Sequence, residues 1–401
     1  MRIGIFDHMS PKLGGGQLVA AQMAAQLSRE HAVELIHSGE GYSLARLAQA
    51  FALDLSRVSE RVVSGSHGSF NVPGRHSVTQ FLLKGLRSDR ELTGPYDLFV
   101  YSGHGVPPVS AARQGLIYCH FPCEGCPEET VKSIDQFKQK TALGQWIRLA
   151  VYNQIWDLRM RGYEMILANS SFTAHWIRQV WRKSAEVVYP PVALTVPSIE
   201  KRNVIVSIGR FIDSRNNKNH HEQLRSLREF LQSGAHGWSL RLIGFCSMMP
   251  REKAYLEELR QLAEGLPVEF IVNAERSVVV RHLAEAKLFW HTAGIGEGGE
   301  QAPAQMEHFG IATVEAMLAG CVPLAPAYGG QVEIVEHGRS GFLCRSISEL
   351  VKFSNQLAGD SQLLDSMGRQ AVARGHLFSQ AAFEQRISQV VSRYRSGFEP
   401  S

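Results

Sequence analysis

Two glutamates, Glu307 and Glu315, stand eight residues apart in the run Glu307-His308-Phe309-Gly310-Ile311-Ala312-Thr313-Val314-Glu315. A stretch rich in Gly, Pro and Gln, from Gly294 to Gln305, precedes them, and an apolar helical pattern through Ala316, Met317 and Leu318 follows. Gly320 then stops the helix, and Val322-Pro323-Leu324-Ala325 starts a strand. This context places Glu307 in the loop at the helix entry and Glu315 on the helix about two turns in. A helix start offers unpaired N–H groups and a positive dipole end, which suit a phosphate. A carboxylate on either side can accept hydrogen bonds from hydroxyls, and a phosphate flanked by hydroxyls describes a nucleotide sugar. On spacing alone, two ordinary helix glutamates would be the better reading. The surroundings reverse it.

Other residues join them at strand ends. Gly209-Arg210 closes an apolar run and Lys218 follows in the next loop. Such cations suit a diphosphate, Arg as a planar fork of donors and Lys as a compact charge. Arg215 is an alternative to Lys218 in that role, and a pair of solvated surface cations is the ordinary fate of such residues. Gly14-Gly15-Gly16 follows the first strand and precedes a helix, so backbone there is either a ligand loop or a plain turn. It does not match the G-x-G-x-x-G dinucleotide pattern. His120 comes directly after the strand Leu116–Cys119, a position that raises a lone histidine from structural to candidate catalytic. Gly329-Gly330-Gln331-Val332-Glu333 reads as a ligand loop or a turn. No Asp-x-Asp occurs, so a carboxylate-held metal bridging a diphosphate is not indicated and no metal ligands are expected.

The elements that must position these groups alternate between strand and helix in both halves, the pattern of parallel α/β architecture. In the first half the strands are Ile3–Phe6, Val33–His37, Leu98–Tyr101, Leu116–Cys119 and Ile166–Ala168, with a helix over Leu18–Leu27. The pattern breaks at Tyr189-Pro190-Pro191, and a linker runs to Pro197. A second series follows: Val204–Gly209, Leu240–Ile243, Val268–Val272, Leu288–Trp290, Val322–Ala325 and Phe342–Leu343. Two domains result, 1–195 and 196–378. An amphipathic helix within 379–401, with Phe383, Ile387, Val390 and Val391 on one face, is expected to pack back on the first. Two such domains imply a central cleft, with ligands beyond the carboxyl ends of the strands.

Composition narrows the function classes. At 401 residues two domains are the natural prior, and 20% charged residues describe an ordinary soluble protein. A net charge of +4, spread over both halves, makes no case for nucleic acid. The amino terminus reads as a buried strand rather than a signal peptide, and six scattered cysteines suit reduced thiols, so a cytoplasmic protein is expected. Cys119, Cys123 and Cys126 have the C-x3-C-x2-C spacing of radical S-adenosylmethionine enzymes, although Gly125 stands where an aromatic is usual. The segment 132–161 carries Lys132, Lys138, Lys140, Arg148, Arg159 and Arg161 with Trp146 and Trp156 interleaved. It is either a face resting on an anionic membrane or a helix with a solvated basic side.

Taken together, these motifs resemble the retaining family-4 glycosyltransferases of the GT-B fold, over nearly the whole chain and most strongly from Val204 to Leu343. The resemblance rests on Gly209-Arg210 with Lys218, the Glu307 to Glu315 run, Gly320-Cys321-Val322-Pro323, Gly329-Gly330-x-x-Glu333 and Gly341-Phe342-Leu343. In the first domain it rests on Gly14–Gly16, Tyr118-Cys119-His120-Phe121-Pro122 and Asn169-Ser170-Ser171-Phe172. Glu307-His308-Phe309-Gly310 and Asn217-Lys218-Asn219-His220 look most like the mannosyltransferases that elongate lipid-linked oligosaccharides, and their bacterial relatives.

The resemblance implies two Rossmann-like domains and transfer of a hexose, mannose favoured, from a nucleoside diphosphate donor, with GDP-mannose favoured over UDP-sugars. The acceptor would be a glycan or lipid-linked; if segment 132–161 is a membrane face, it would reach such an acceptor by peripheral contact at the inner face of the membrane. Retention at the anomeric carbon and no cofactor or metal are implied. Arg210 and Lys218 would hold the diphosphate, Glu307 the hexose and Glu315 the ribose, and His120 would approach the hexose from the other domain. Gly15 and Gly16, together with His308, Phe309, Gly310 and Ile311, would complete the donor site. Three rivals stand beside it: a nucleotide-sugar epimerase or hydrolase on the same fold, an iron–sulfur radical enzyme, and a non-catalytic sugar-nucleotide-binding subunit.

Overall fold

A computed structural model describes residues 1–7, 13–39, 42–63, 78–104, 106–122, 156–212, 218–295 and 303–395. They divide into two compact units, Met1–Pro191 with Phe383–Ser401, and Val192–Ala382. Residues 123–155, 213–217 and 296–302 lie outside the described set. With them lie Cys123, Cys126, Arg215, Asn217 and most of the basic segment 132–161.

The first unit is built on a seven-stranded parallel sheet. Its strands are β1 (Arg2–Asp7), β2 (Ala32–His37), β3 (Val58–Val62), β4 (Leu98–Gly103), β5 (Gln114–Cys119), β6 (Met165–Ala168) and β7 (Glu186–Val187). The spatial order is β3-β2-β1-β4-β5-β6-β7. Helices α1 (Gly15–Leu27), α2 (Leu44–Phe51), α3 (Val78–Thr93) and α4 (Ser171–Trp181) connect them, with a further helical turn at 156–161. Strands β1, β4 and β5 are buried along nearly their whole length. They read as unbroken apolar runs because a central parallel strand is covered on both faces.

The second unit carries a six-stranded parallel sheet, order β10-β9-β8-β11-β12-β13. Its strands are β8 (Arg202–Ile208), β9 (Ser239–Gly244), β10 (Val268–Val272), β11 (Ala286–Trp290), β12 (Val322–Pro326) and β13 (Phe342–Cys344). Helices α5 (His220–Gln232), α6 (Pro250–Leu262), α7 (Arg276–Glu285), α8 (Ile311–Leu318), α9 (Gln331–Ile334), α10 (Ile347–Gly359) and α11 (Ser361–Gly375) surround it. In both units the chain winds outward in one direction and then returns to the other side of its first strand. The reversals fall between β1 and β4 and between β8 and β11. A crevice opens at such a switch point because the connections leave it in opposite directions.

The carboxyl-terminal helix α12 (Gln380–Arg395) belongs to the core of the first unit. Phe383, Ile387, Val390, Val391 and Tyr394 are buried there with Ile5, Val19 and Met23. Polar ties reinforce this: Gln22 Nε2 donates to Glu384 at 2.7 Å, and Arg393 and Arg386 each pair with Glu186 at 2.7 Å. Truncating a fully buried isoleucine removes its transfer energy and leaves a cavity. We expect Ile387→Ala to cost about 2–5 kcal/mol in denaturant unfolding, with faster amide exchange in β1 and α1. Wild-type stability would remove the helix from that core.

Two residues of the basic segment are placed otherwise than on an open basic face. Trp156 is buried against Trp181, with ring centroids 5.5 Å apart. Arg159 is buried, pairs with Asp89 at 3.1 Å and donates to the Pro107 carbonyl at 2.6 Å. An arginine that must satisfy a buried aspartate is unavailable to lipid headgroups. No helix among the described residues is long and apolar enough to cross a membrane.

Candidate active site

In the second unit, Lys218 leaves β8 and His291 leaves β11, so both stand at the switch point. A small knot holds the two loops together. Thr292 Oγ1 donates to the Lys218 carbonyl at 2.5 Å, and Gln223 Nε2 donates to the same carbonyl at 3.0 Å and to Thr292 Oγ1 at 2.7 Å. Asn219, in a left-handed conformation at the start of α5, donates from Nδ2 to the Thr292 carbonyl at 3.0 Å.

Lys218 Nζ forms an ion pair with Glu307 Oε2. His291 Nε2 lies 3.4 Å from the same oxygen. Burial pushes the Glu307 carboxyl up, but the Lys218 ammonium outweighs it and holds the group down at about 2. Burial, aided by Lys218, pushes the His291 imidazole down to about 3. The site therefore holds a carboxylate, an ammonium and a neutral imidazole at neutral pH.

Glu307 is set by its own backbone. Gly330 N–H donates to the Glu307 carbonyl at 2.8 Å, and Gln331 Nε2 donates to the Phe309 carbonyl at 3.0 Å. The Gly329-Gly330 loop thus supports the Glu307 turn. Gly310, at φ +118°, turns the chain into α8 and offers no side-chain cap. The first amides of the helix, at Ile311 and Ala312, are left open for an anion. Phe309 has its ring buried against Phe378 at 5.6 Å, so of this residue only backbone faces the turn.

Glu315 is the fifth residue of α8, a little over one turn in rather than two, because the helix starts only after Gly310. It is buried and accepts from Arg276 Nη2 at 2.5 Å. Arg210 is exposed at the end of β8 and pairs with no carboxylate among the described residues.

His120 belongs to the first unit, following β5. It is buried, its Nε2 lies 3.1 Å from Ser102 Oγ, and Asn169 Nδ2 donates to its carbonyl at 2.9 Å. The exposed Gly14 and Gly15 open α1 without a side-chain cap. Cys119 is fully buried in β5.

The residues that sequence reasoning missed are His291 and Thr292 near Glu307, and Asp7 at the end of β1. Asp7 is buried and accepts from Tyr42 Oη at 2.8 Å. A polar residue directly after a fully apolar strand was the available signal for His291 and Thr292, the same signal that marks His120.

Two parallel sheets of this topology define the GT-B class of glycosyltransferase folds. Within it, residues 195–374 match the model of the family described as glycosyl transferases group 1. Among curated proteins, the chain is 28% identical over 274 residues to the GDP-Man:Man(3)GlcNAc(2)-PP-Dol alpha-1,2-mannosyltransferase of Dictyostelium discoideum, covering 63% of this chain and 51% of that one. It is 33% identical over 205 residues to the mouse protein of the same description, covering 46% and 39%. The chain thus spans about half or less of the length of these relatives. Among solved structures, HepE of Anabaena in complex with UDP and glucose superposes with a TM-score of 0.66 at 21% identity, covering 98% of this chain and 100% of that one.

Proposed function

We propose that the protein transfers mannose from GDP-mannose to a lipid-linked glycan acceptor, with retention at the anomeric carbon and without a metal. The observation that carries this is the Glu307–Lys218 pair beside the uncapped start of α8. It brings a carboxylate, a cation and the start of a helix together at a switch point. The mannosyltransferase relatives, by their names, support GDP, mannose and a lipid-linked acceptor.

In this reading Arg210 and Lys218 take the diphosphate, and the α8 amides share its charge. Glu315 holds the ribose hydroxyls and Glu307 the hexose hydroxyls. The bond from the anomeric carbon to the phosphate oxygen breaks, and the acceptor oxygen bonds to that carbon on the same face. The acceptor's proton passes to the departing phosphate oxygen, so no covalent nucleophile is needed. Lys218 must leave Glu307 to serve the diphosphate. A lipid-linked acceptor would put the reaction at a membrane surface.

The test is thermal stabilisation by GDP, UDP and ADP, each with and without EDTA. A ligand that binds only the native state raises stability by mass action, about 2.7 kcal/mol at a hundred times Kd. A GDP-selective shift that EDTA leaves unchanged is expected, followed by mannose transfer to a lipid-linked acceptor. A UDP preference would overturn the sugar, and no shift with any nucleotide would overturn the reading.

A further inference from the structure

Resting on the donor reading above, the geometry points to His291 as the positioning residue for Glu307: its Nε2–H takes over the carboxylate oxygen that Lys218 releases when Lys218 turns to the diphosphate. Lys218 occupies Glu307 Oε2. His291 Nε2 stands 3.4 Å from that same oxygen, and this atom has no hydrogen-bond partner among the described residues. The side chain is 3% exposed, so solvent does not satisfy it. A buried polar atom 3.4 Å from an oxygen already taken makes sense if the two bond once the competitor has left.

The chemistry of the group fits the task. Burial and the nearby Lys218 keep the imidazole neutral. A neutral N–H donor orients a carboxylate without cancelling its charge, so Glu307 would face the hexose fixed in direction and still anionic. A second cation in this place would compete with the hexose for that charge. His291 is also rigid: its backbone N–H donates to the Leu324 carbonyl at 2.9 Å, and its ring stacks on Phe289 with centroids 6.5 Å apart. Neighbouring Thr292 ties the same loop to Lys218, so one short segment controls both partners of Glu307.

Two measurements test this. The first needs no donor: Lys218→Met mimics the departure of the lysine, and nitrogen-15 spectra of labelled histidine report the His291 tautomer. A neutral ring protonated at Nε2, with that proton hydrogen-bonded and the signature lost in Lys218→Met/Glu307→Ala, is expected. A ring protonated at Nδ1 would overturn the inference. The second compares His291→Gln, whose amide nitrogen reaches the place of Nε2, with His291→Asn, whose amide nitrogen falls at Nδ1.

Both variants should keep the wild-type thermal shift with the nucleoside diphosphate, which carries no hexose. Asn should lose roughly 10²-fold in kcat, the cost of a misplaced reacting group, with KM little changed. Gln should regain about tenfold of that loss or more. Equal kcat in the two folded variants would overturn the inference. If instead the wild-type protein neither binds a nucleotide nor transfers a sugar, the functional reading fails, and the tautomer alone decides the role of His291.

Discussion

Glu307→Gln is expected to lower kcat by roughly 10²–10³-fold, the usual cost of removing one preorganised electrostatic group from a transition state. Its amide oxygen can still accept from Lys218, so the fold and the nucleotide-dependent thermal shift should persist. What is lost is the negative charge beside the sugar as its anomeric carbon becomes electron-poor. The pH dependence follows from the Lys218 pair. The Glu307 carboxyl is held near 2, below its ordinary value of 4.5. A depressed carboxylate stabilises the native state above that ordinary value, and the contribution is lost as pH falls through 2. Glu307 therefore stays ionised wherever the protein works, and the wild-type rate should show no acid limb near the usual carboxylate range. In Lys218→Met the strongest downward pull on the carboxyl is gone, so it rises, and the stability lost through this group on acidification shrinks. A fully active Glu307→Gln would remove Glu307 from the chemistry.

The sequence was most legible where one physical cause dominates. Strands such as Leu98–Gly103 and Leu116–Cys119 are covered on both faces, so they stand out as apolar runs. Strand β3, Val58-Ser59-Glu60-Arg61-Val62, was not anticipated: it is an edge strand whose side chains are mostly exposed, and it leaves no run to find. Strand β7 has two residues and leaves no pattern either.

At the site, Glu307 was legible through its motif and Lys218 through its strand end, but their pairing was not. It depends on Thr292 and Gln223 tying the Lys218 loop to the end of β11, across about seventy residues of chain. His291 is a lone histidine in sequence, and only the sheet order brings β11 beside β8. Trp156 and Arg159 looked like part of a basic, aromatic face. The partner that buries Arg159, Asp89, lies seventy residues away, beyond the reach of any local pattern.

Gly330→Ala should slow transfer nearly as much as a change at Glu307, without touching a charged group. Gly330 has φ −68°, a conformation any residue adopts, so the cost is steric rather than conformational. An added Cβ would collide with the His308 carbonyl oxygen and lie 2.6 Å from Phe309 Cα and 2.7 Å from the His308 carbonyl carbon. All three are backbone atoms of the Glu307 turn, which cannot rotate aside as a side chain would. The turn must shift by a large fraction of an ångström, taking Glu307 and the entry to α8 with it. The 2.8 Å bond from Gly330 N–H to the Glu307 carbonyl would be strained or lost. A displacement of that order at a reacting centre costs about 10²-fold in rate. Gly359 supplies the control: it closes α10, and an added Cβ there meets nothing within 4 Å. Gly359→Ala should leave kcat unchanged and stabilise by about 0.4–1 kcal/mol. Measured side by side, an active Gly330→Ala would mean that the loop does not hold Glu307 in place. Loss of activity in Gly330→Ala alone would show that the Gly329-Gly330 loop acts by setting the backbone of Glu307.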